Sequence, residues 1–164
     1  MPKSPAQHEA PMRRCLELAR RALASGDAPV GALLMRGDKI LAEGIESVRA
    51  LCDVSAHAEI EALRVATVGL DTTDLSGTTL YTTVAPCTMC AYAIRLARVG
   101  TVVTGAPEPG GGGPLSGRRV LTDPEAVANR PVPRLVEGVL ASECEALLAR
   151  RATAAPKRYR LSDS

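Results

Sequence analysis

Apolar residues near the start of the chain recur at helical spacing. Met12, Leu16, Ala19 and Leu23 form one stripe with Cys15, Leu18 and Ala22 beside it, while Arg13, Arg14, Glu17, Arg20 and Arg21 fill the other positions. The pattern predicts an amphipathic helix of about four turns, closed at Ser25-Gly26. The period then changes. Val30 to Met35 is a continuous apolar run, Arg36-Gly37-Asp38 has turn chemistry, and Lys39 to Ile45 follows, which together predict a β-hairpin. Helical spacing returns over 55–68, with Ile60, Leu63 and Val65 as the buried side. Thr78 to Val84 is rich in strand formers and ends before Pro86. Cys87 to Arg98 is helical through Ala91, Ile94 and Ala97, and Thr101 to Thr104 is a short buried strand closed by Gly105. Arg134-Leu135-Val136 is a last short strand. Ser142 to Arg151 is a terminal helix, with Ser142 as N-cap and Glu145 as its capping-box partner. This order predicts an α/β fold, a three-layer α/β/α sandwich around a central mixed five-stranded sheet. The hairpin supplies its antiparallel pair, and right-handed crossovers make the later strands parallel.

Composition narrows the function classes. A chain of 164 residues, 46% apolar, suits one domain over 1–164, with residues 1–7 and 152–164 as flexible ends. It has no Phe, no Trp and three Tyr, too few rings for a stacking platform that reads single-stranded RNA. A net charge of +2 gives no strong phosphate-seeking field. No apolar run approaches the roughly 20 residues that span a bilayer, and Met1 to Met12 does not read as a secretory signal. Five scattered cysteines (15, 52, 87, 90 and 144) argue against a disulfide framework and for a cytoplasmic protein whose close-spaced cysteines bind metal. Gly110 to Gly113 lacks the lysine of a phosphate loop and reads as a surface loop. The basic end, with Arg150, Arg151, Lys157, Arg158 and Arg160, is either a solvated tail or a contact for RNA phosphates.

Two short motifs carry chemistry. His57-Ala58-Glu59 opens one helix and Pro86-Cys87-Thr88-Met89-Cys90 opens another. Two cysteines at a helix start converge on one ion while the helix N-terminus favours their thiolates. One imidazole completes a three-ligand zinc set and leaves a fourth tetrahedral position for water. Glu59, two residues beyond His57, lies in the first turn near that open position without having to be a ligand. Other readings of these residues are a redox CxxC pair, a plain buried His57, and a closed zinc site in which Cys52 is the fourth ligand.

On these residues the chain resembles the cytidine deaminase-like superfamily, most closely its tRNA-adenosine, guanine and cytosine deaminase branch. The likeness runs from about His8 to Arg151. Besides the two motifs it rests on Pro29-Val30-Gly31-Ala32, Thr79-Leu80-Tyr81-Thr82-Thr83 and Glu137-Gly138-Val139-Leu140-Ala141. It implies a homodimer, zinc held by His57, Cys87 and Cys90, and Glu59 as the proton shuttle. Three positions depart from the branch: Glu46 stands where an asparagine is usual, Ala85 where glutamate precedes Pro-Cys, and Glu108 where aspartate is common. An ionised Glu46 only accepts hydrogen bonds. The expectation is therefore a small free amino-heterocycle as substrate and partner (guanine, cytosine, isocytosine or an amino-triazine), deaminated with release of ammonia. Glu46, Ala58 and Glu108 are its expected contacts, the Ala58 backbone N–H holding developing charge. The alternatives are adenosine-to-inosine deamination of tRNA and a non-catalytic zinc-stabilised scaffold.

Overall fold

A computed structural model describes residues 5–110 and 113–150; the remaining residues, including Gly111, Gly112 and the basic tail from Arg151 onward, lie outside the described part. The elements in chain order are α1 (Pro5–Ala24), β1 (Gly31–Arg36), β2 (Lys39–Ile45), α2 (Val48–Leu51), α3 (Ala58–Leu70), β3 (Thr79–Val84), α4 (Thr88–Leu96), β4 (Thr101–Ala106), α5 (Gly117–Thr122), β5 (Arg134–Val136) and α6 (Ala141–Leu148). The five strands form one mixed sheet in the order β2-β1-β3-β4-β5. β1 is antiparallel to both β2 and β3, whereas β3, β4 and β5 run parallel through the connecting helices α4 and α5. The sandwich expected from the element order is the one observed.

Period-two alternation divides the core. Ala32, Leu34, Leu80 and Val102 face α3 and α4, where Ala58, Ala62, Ala91 and Ile94 meet them. Leu33, Met35, Tyr81 and Val103 face α1 and α6, against Met12, Leu16, Ala19, Cys144 and Leu147. Both faces of β1, β3 and β4 are covered, which is why these strands read as unbroken apolar runs.

Several boundaries differ from expectation. α1 begins at Pro5 and runs through Pro11, so residues 5–7 are helical rather than a flexible end. Proline cannot give an N–H to the preceding turn. Burial of His8 and Met12, with His8 Nδ1 placed 3.1 Å from the Tyr81 hydroxyl, holds that turn on the sheet. On α3 the buried face is Ala58, Glu59, Ala62, Leu63 and Ala66, while Val65 is 52% exposed. β4 continues to Ala106, since Gly105 is where Cys144 of α6 packs against the strand. The N-cap of α6 is Leu140 in the left-handed region (φ 54°), with no side-chain cap, so the Ser142–Glu145 capping box does not form. Val139 N–H bonds Thr104 O and Gly138 turns at φ 80°, which starts the helix early and leaves Ser142 inside its first turn. Among the described residues no helix is long and apolar enough to cross a membrane.

Candidate active site

Two helix N-termini meet at one end of the sheet. His57 is the N-cap of α3 and Cys87 the N-cap of α4, both in extended backbone, and the His57 side chain makes no capping bond to its own helix. α3 starts at Ala58, three residues later than the spacing suggests. The Ser55 N–H and hydroxyl both donate to Asp53 Oδ1, at 2.8 and 2.7 Å, and that local turn takes the place of a first helical turn. The approach of the layers is as tight as it can be. A Cβ at Gly44 of β2 would run into Ala58 O, so the sheet lies directly against the turn that carries the His-Ala-Glu motif.

The ligand atoms of His57, Cys87 and Cys90 all lie within 4.8 Å of one another, with Cys87 Sγ 3.8 Å from His57 Nδ1. Cys90 is buried, and His57 and Cys87 are half-buried. A hydrogen bond with the Cys90 thiol draws Cys87 down to about 5, against the effect of burial. Backbone N–H groups of α4 and His57 add to it, while Cys90 is pushed upward by the same bond and by burial. The surroundings thus favour a thiolate at Cys87, an anionic donor for a cation. Two soft sulfur donors and one imidazole suit zinc and leave a fourth position open. Cys52 is exposed, in left-handed backbone at the end of α2, and its Sγ points back to Arg49 O at 3.8 Å. It is not in the ligand group, so the closed four-ligand site and the scaffold that rested on it are not formed.

Glu59 follows from the first turn of α3 and is 3% exposed. Its Oε1 accepts from the Thr82 hydroxyl at 3.0 Å and its Oε2 lies 3.6 Å from Cys90 Sγ. Burial pushes its pKa up, with the bonds from its own N–H and from Thr82 opposing. Glu46, just beyond β2, is 8% exposed, and its Oε2 accepts the Ala58 N–H at 3.1 Å. That N–H was expected to hold charge on a substrate; it is engaged by Glu46 instead. Burial, the largest influence, raises Glu46 to about 7 even with His57 nearby.

Glu108 does not contact this group. Its carboxylate accepts the Gly117 N–H at 3.2 Å, and Thr88 of α4 donates to Leu115 O. A Cβ at Gly117 would strike Pro86 O, so α5, unanticipated from the sequence, closes directly on the Pro-Cys motif. Glu108 is thus a tether for the wall that α5 builds. Sequence reading also missed Thr82. The available signal was a hydroxyl in a strand row whose neighbours on that face, Leu80 and Ala32, are buried and apolar.

This pairing of helix termini, ligand set and buried carboxylate is matched in known proteins. The model of the cytidine and deoxycytidylate deaminase zinc-binding region covers residues 5–106. The chain belongs to that family. It is a zinc-dependent hydrolytic deaminase and takes one zinc ion, for which the His57, Cys87 and Cys90 group has the right donors. The tRNA-specific adenosine deaminase of Agrobacterium fabrum is 37% identical over 137 residues, 84% of this chain and 88% of that protein. The chloroplastic tRNA(adenine(34)) deaminase of Arabidopsis thaliana is 39% identical over 81% of this chain, which spans only 11% of that longer protein. The solved structure of a tRNA:A34 deaminase that edits A to I at the wobble position superposes with a TM-score of 0.74 at 36% identity. It covers 86% of this deaminase and 99% of its own chain. The guanine deaminase of Nitrosomonas europaea is more distant, with 30% identity and a TM-score of 0.68 over 85% of this chain and 81% of its own.

These likenesses overturn the expectation of a small free base as main substrate and partner, because the relatives at 36–39% identity over most of the chain are tRNA adenosine deaminases. The premise behind that expectation was a Glu46 carboxylate free to accept from a base; in the structure its Oε2 already accepts the Ala58 N–H, and burial opposes its charge.

Proposed function

We propose that this deaminase converts adenosine to inosine in tRNA, at the wobble position. The observation that carries the reading is its identity, over more than four-fifths of its length, to proteins of that activity. Its site fits the chemistry. We assign His57, Cys87 and Cys90 as the zinc ligands, Glu59 as the proton carrier and Glu46 as the reader of the ring edge. Zinc, when bound, supplies an activated water. Glu59 would take a proton from the attacking water and give it to the adenine ring nitrogen beside the amine-bearing carbon, then take the proton of the hydroxyl added at that carbon and give it to the leaving amine. Adenosine and water become inosine and ammonia. The raised pKa of Glu59 suits a group that must both take and return a proton. Arg49 and Arg150 line a cleft of about 490 Å³ beside the loop that carries Glu46, where cationic side chains suit an RNA phosphate.

The decisive experiment incubates the zinc-loaded protein with a tRNA transcript carrying adenosine at the wobble position. Inosine is expected at that position, with no ammonia released from free guanine, cytosine or adenine. Ammonia from a free base, with no inosine in the transcript, would overturn the reading.

By the same resemblance we propose a homodimer in the cytoplasm, each chain acting as one domain. Met89, Tyr92 and Leu96, 38–45% exposed, recur at helical spacing along α4, an apolar stripe that a second copy would cover. Light scattering is expected to give the mass of two chains; the mass of one chain removes this proposal.

A further inference from the structure

Thr82 has no solvent exposure and lies in the centre of β3, with Ala32 and Thr104 as its cross-strand neighbours. Burying a hydroxyl in such a row costs stability unless it is hydrogen-bonded, and valine fills nearly the same volume without that cost. The Thr82 hydroxyl has one proton and two acceptors at equal distance: Glu59 Oε1 at 3.0 Å and Val84 O at 3.0 Å. The strand carbonyl fixes where the oxygen sits, and Glu59 is the only carboxylate it touches among the described residues.

The other side-chain donor to Glu59 is the Cys90 thiol. A thiol that ligates zinc has lost its proton and can no longer donate. In the zinc-loaded protein the Thr82 hydroxyl is then the side-chain donor that remains to orient Glu59. A hydroxyl can also accept, so it serves the side chain before and after Glu59 picks up a proton, by turning its own proton to Val84 O.

We propose that Thr82 is a positioning residue of this deaminase, a buried hydroxyl on β3 that sets the carboxyl plane of Glu59 toward the reacting atoms. The inference rests on Glu59 being the proton carrier of the proposed tRNA reaction. Its signature is in turnover rather than in binding, since Thr82 has no solvent exposure and acts through its bond to Glu59.

The test compares Thr82→Val and Thr82→Ser with the parent on the wobble-adenosine transcript, each checked for zinc content and melting temperature. For Thr82→Val, kcat is expected to fall by about 10–100-fold, the scale of a misplaced catalytic group, with KM within about twofold and zinc retained. Thr82→Ser keeps the hydroxyl and is expected to recover kcat to within about threefold of the parent. An inactive parent protein would count against the tRNA reading and not against Thr82. An active parent with undiminished kcat in Thr82→Val overturns the positioning role, as does a serine variant no better than valine. If Thr82→Val does not fold, Thr82→Ser alone decides: a loss of kcat beyond about tenfold with intact stability overturns the proposal.

Discussion

Glu59→Gln is expected to lose about 10²–10⁴-fold in turnover, the contribution of a positioned general acid–base, while keeping one zinc ion per chain. Glutamine has nearly the shape of glutamate, and its amide oxygen can still accept from the Thr82 hydroxyl that bonds Glu59. What it cannot do is take a proton and give it back. Stability should move the other way or not at all, because Glu59 is 3% exposed and burial already opposes its charge. A neutral amide there sheds that penalty, a pattern found where function and stability compete for one position. Cys87→Ser separates the roles: it is expected to lose zinc, whereas Glu59→Gln is not. Metal analysis, inosine formation and thermal melting of both variants form the check. Near-parent turnover in Glu59→Gln would end the assignment of Glu59 as proton carrier.

The parts of this molecule that a reader of the sequence can see are those set by near neighbours along the chain. Ala32 to Met35 and Leu80 to Val84 announce buried strands, and the Pro-Cys-x-x-Cys and His-Ala-Glu spacings place donors on first turns of helices, where they stand. What was not legible depends on contacts across the chain. The formal charge of Glu46 suggested an acceptor that would disfavour adenosine, yet its pKa is set by how deeply β2 and α3 bury it. Cys52, five positions before His57, looked able to reach the ligand group; a left-handed turn at the end of α2 aims it away. Ser142 has ideal capping chemistry and caps nothing, because a bond from Val139 to β4 decides where α6 begins. The short helix α5 has little apolar periodicity of its own and is held from outside.

What holds it is Arg95, and Arg95→Met is expected to cost about 3 kcal/mol of stability, the scale of leaving several buried carbonyls unpaired. The side chain is 1% exposed and lies on the inner face of α4. Its guanidinium donates to the carbonyls of Val120, Asp123 and Arg130 at 2.7, 2.8 and 2.8 Å, with Val127 O at 3.4 Å. No described carboxylate pairs with it; backbone dipoles take the part of a counter-ion. Two effects oppose each other on substitution. Methionine removes the desolvation cost of a buried cation. It also strips donors from carbonyls that are fixed in one place by the path of residues 120–130. The second effect is expected to win, since water reaches those carbonyls only if the segment opens. For a chain of this length the loss corresponds to a melting temperature lower by roughly 6–12 °C. Arg95→Lys should recover only part of it, because one ammonium cannot span acceptors that a planar guanidinium reaches from two nitrogens. The damage should also reach the active site. α5 begins at Gly117, pressed on Pro86, so a loosened 117–130 segment frees the wall beside Cys87. Limited proteolysis of Arg95→Met should therefore cut first between residues 117 and 130, before global melting. A variant that melts within about 2 °C of the parent and resists that cleavage would show that the segment is held by something other than Arg95.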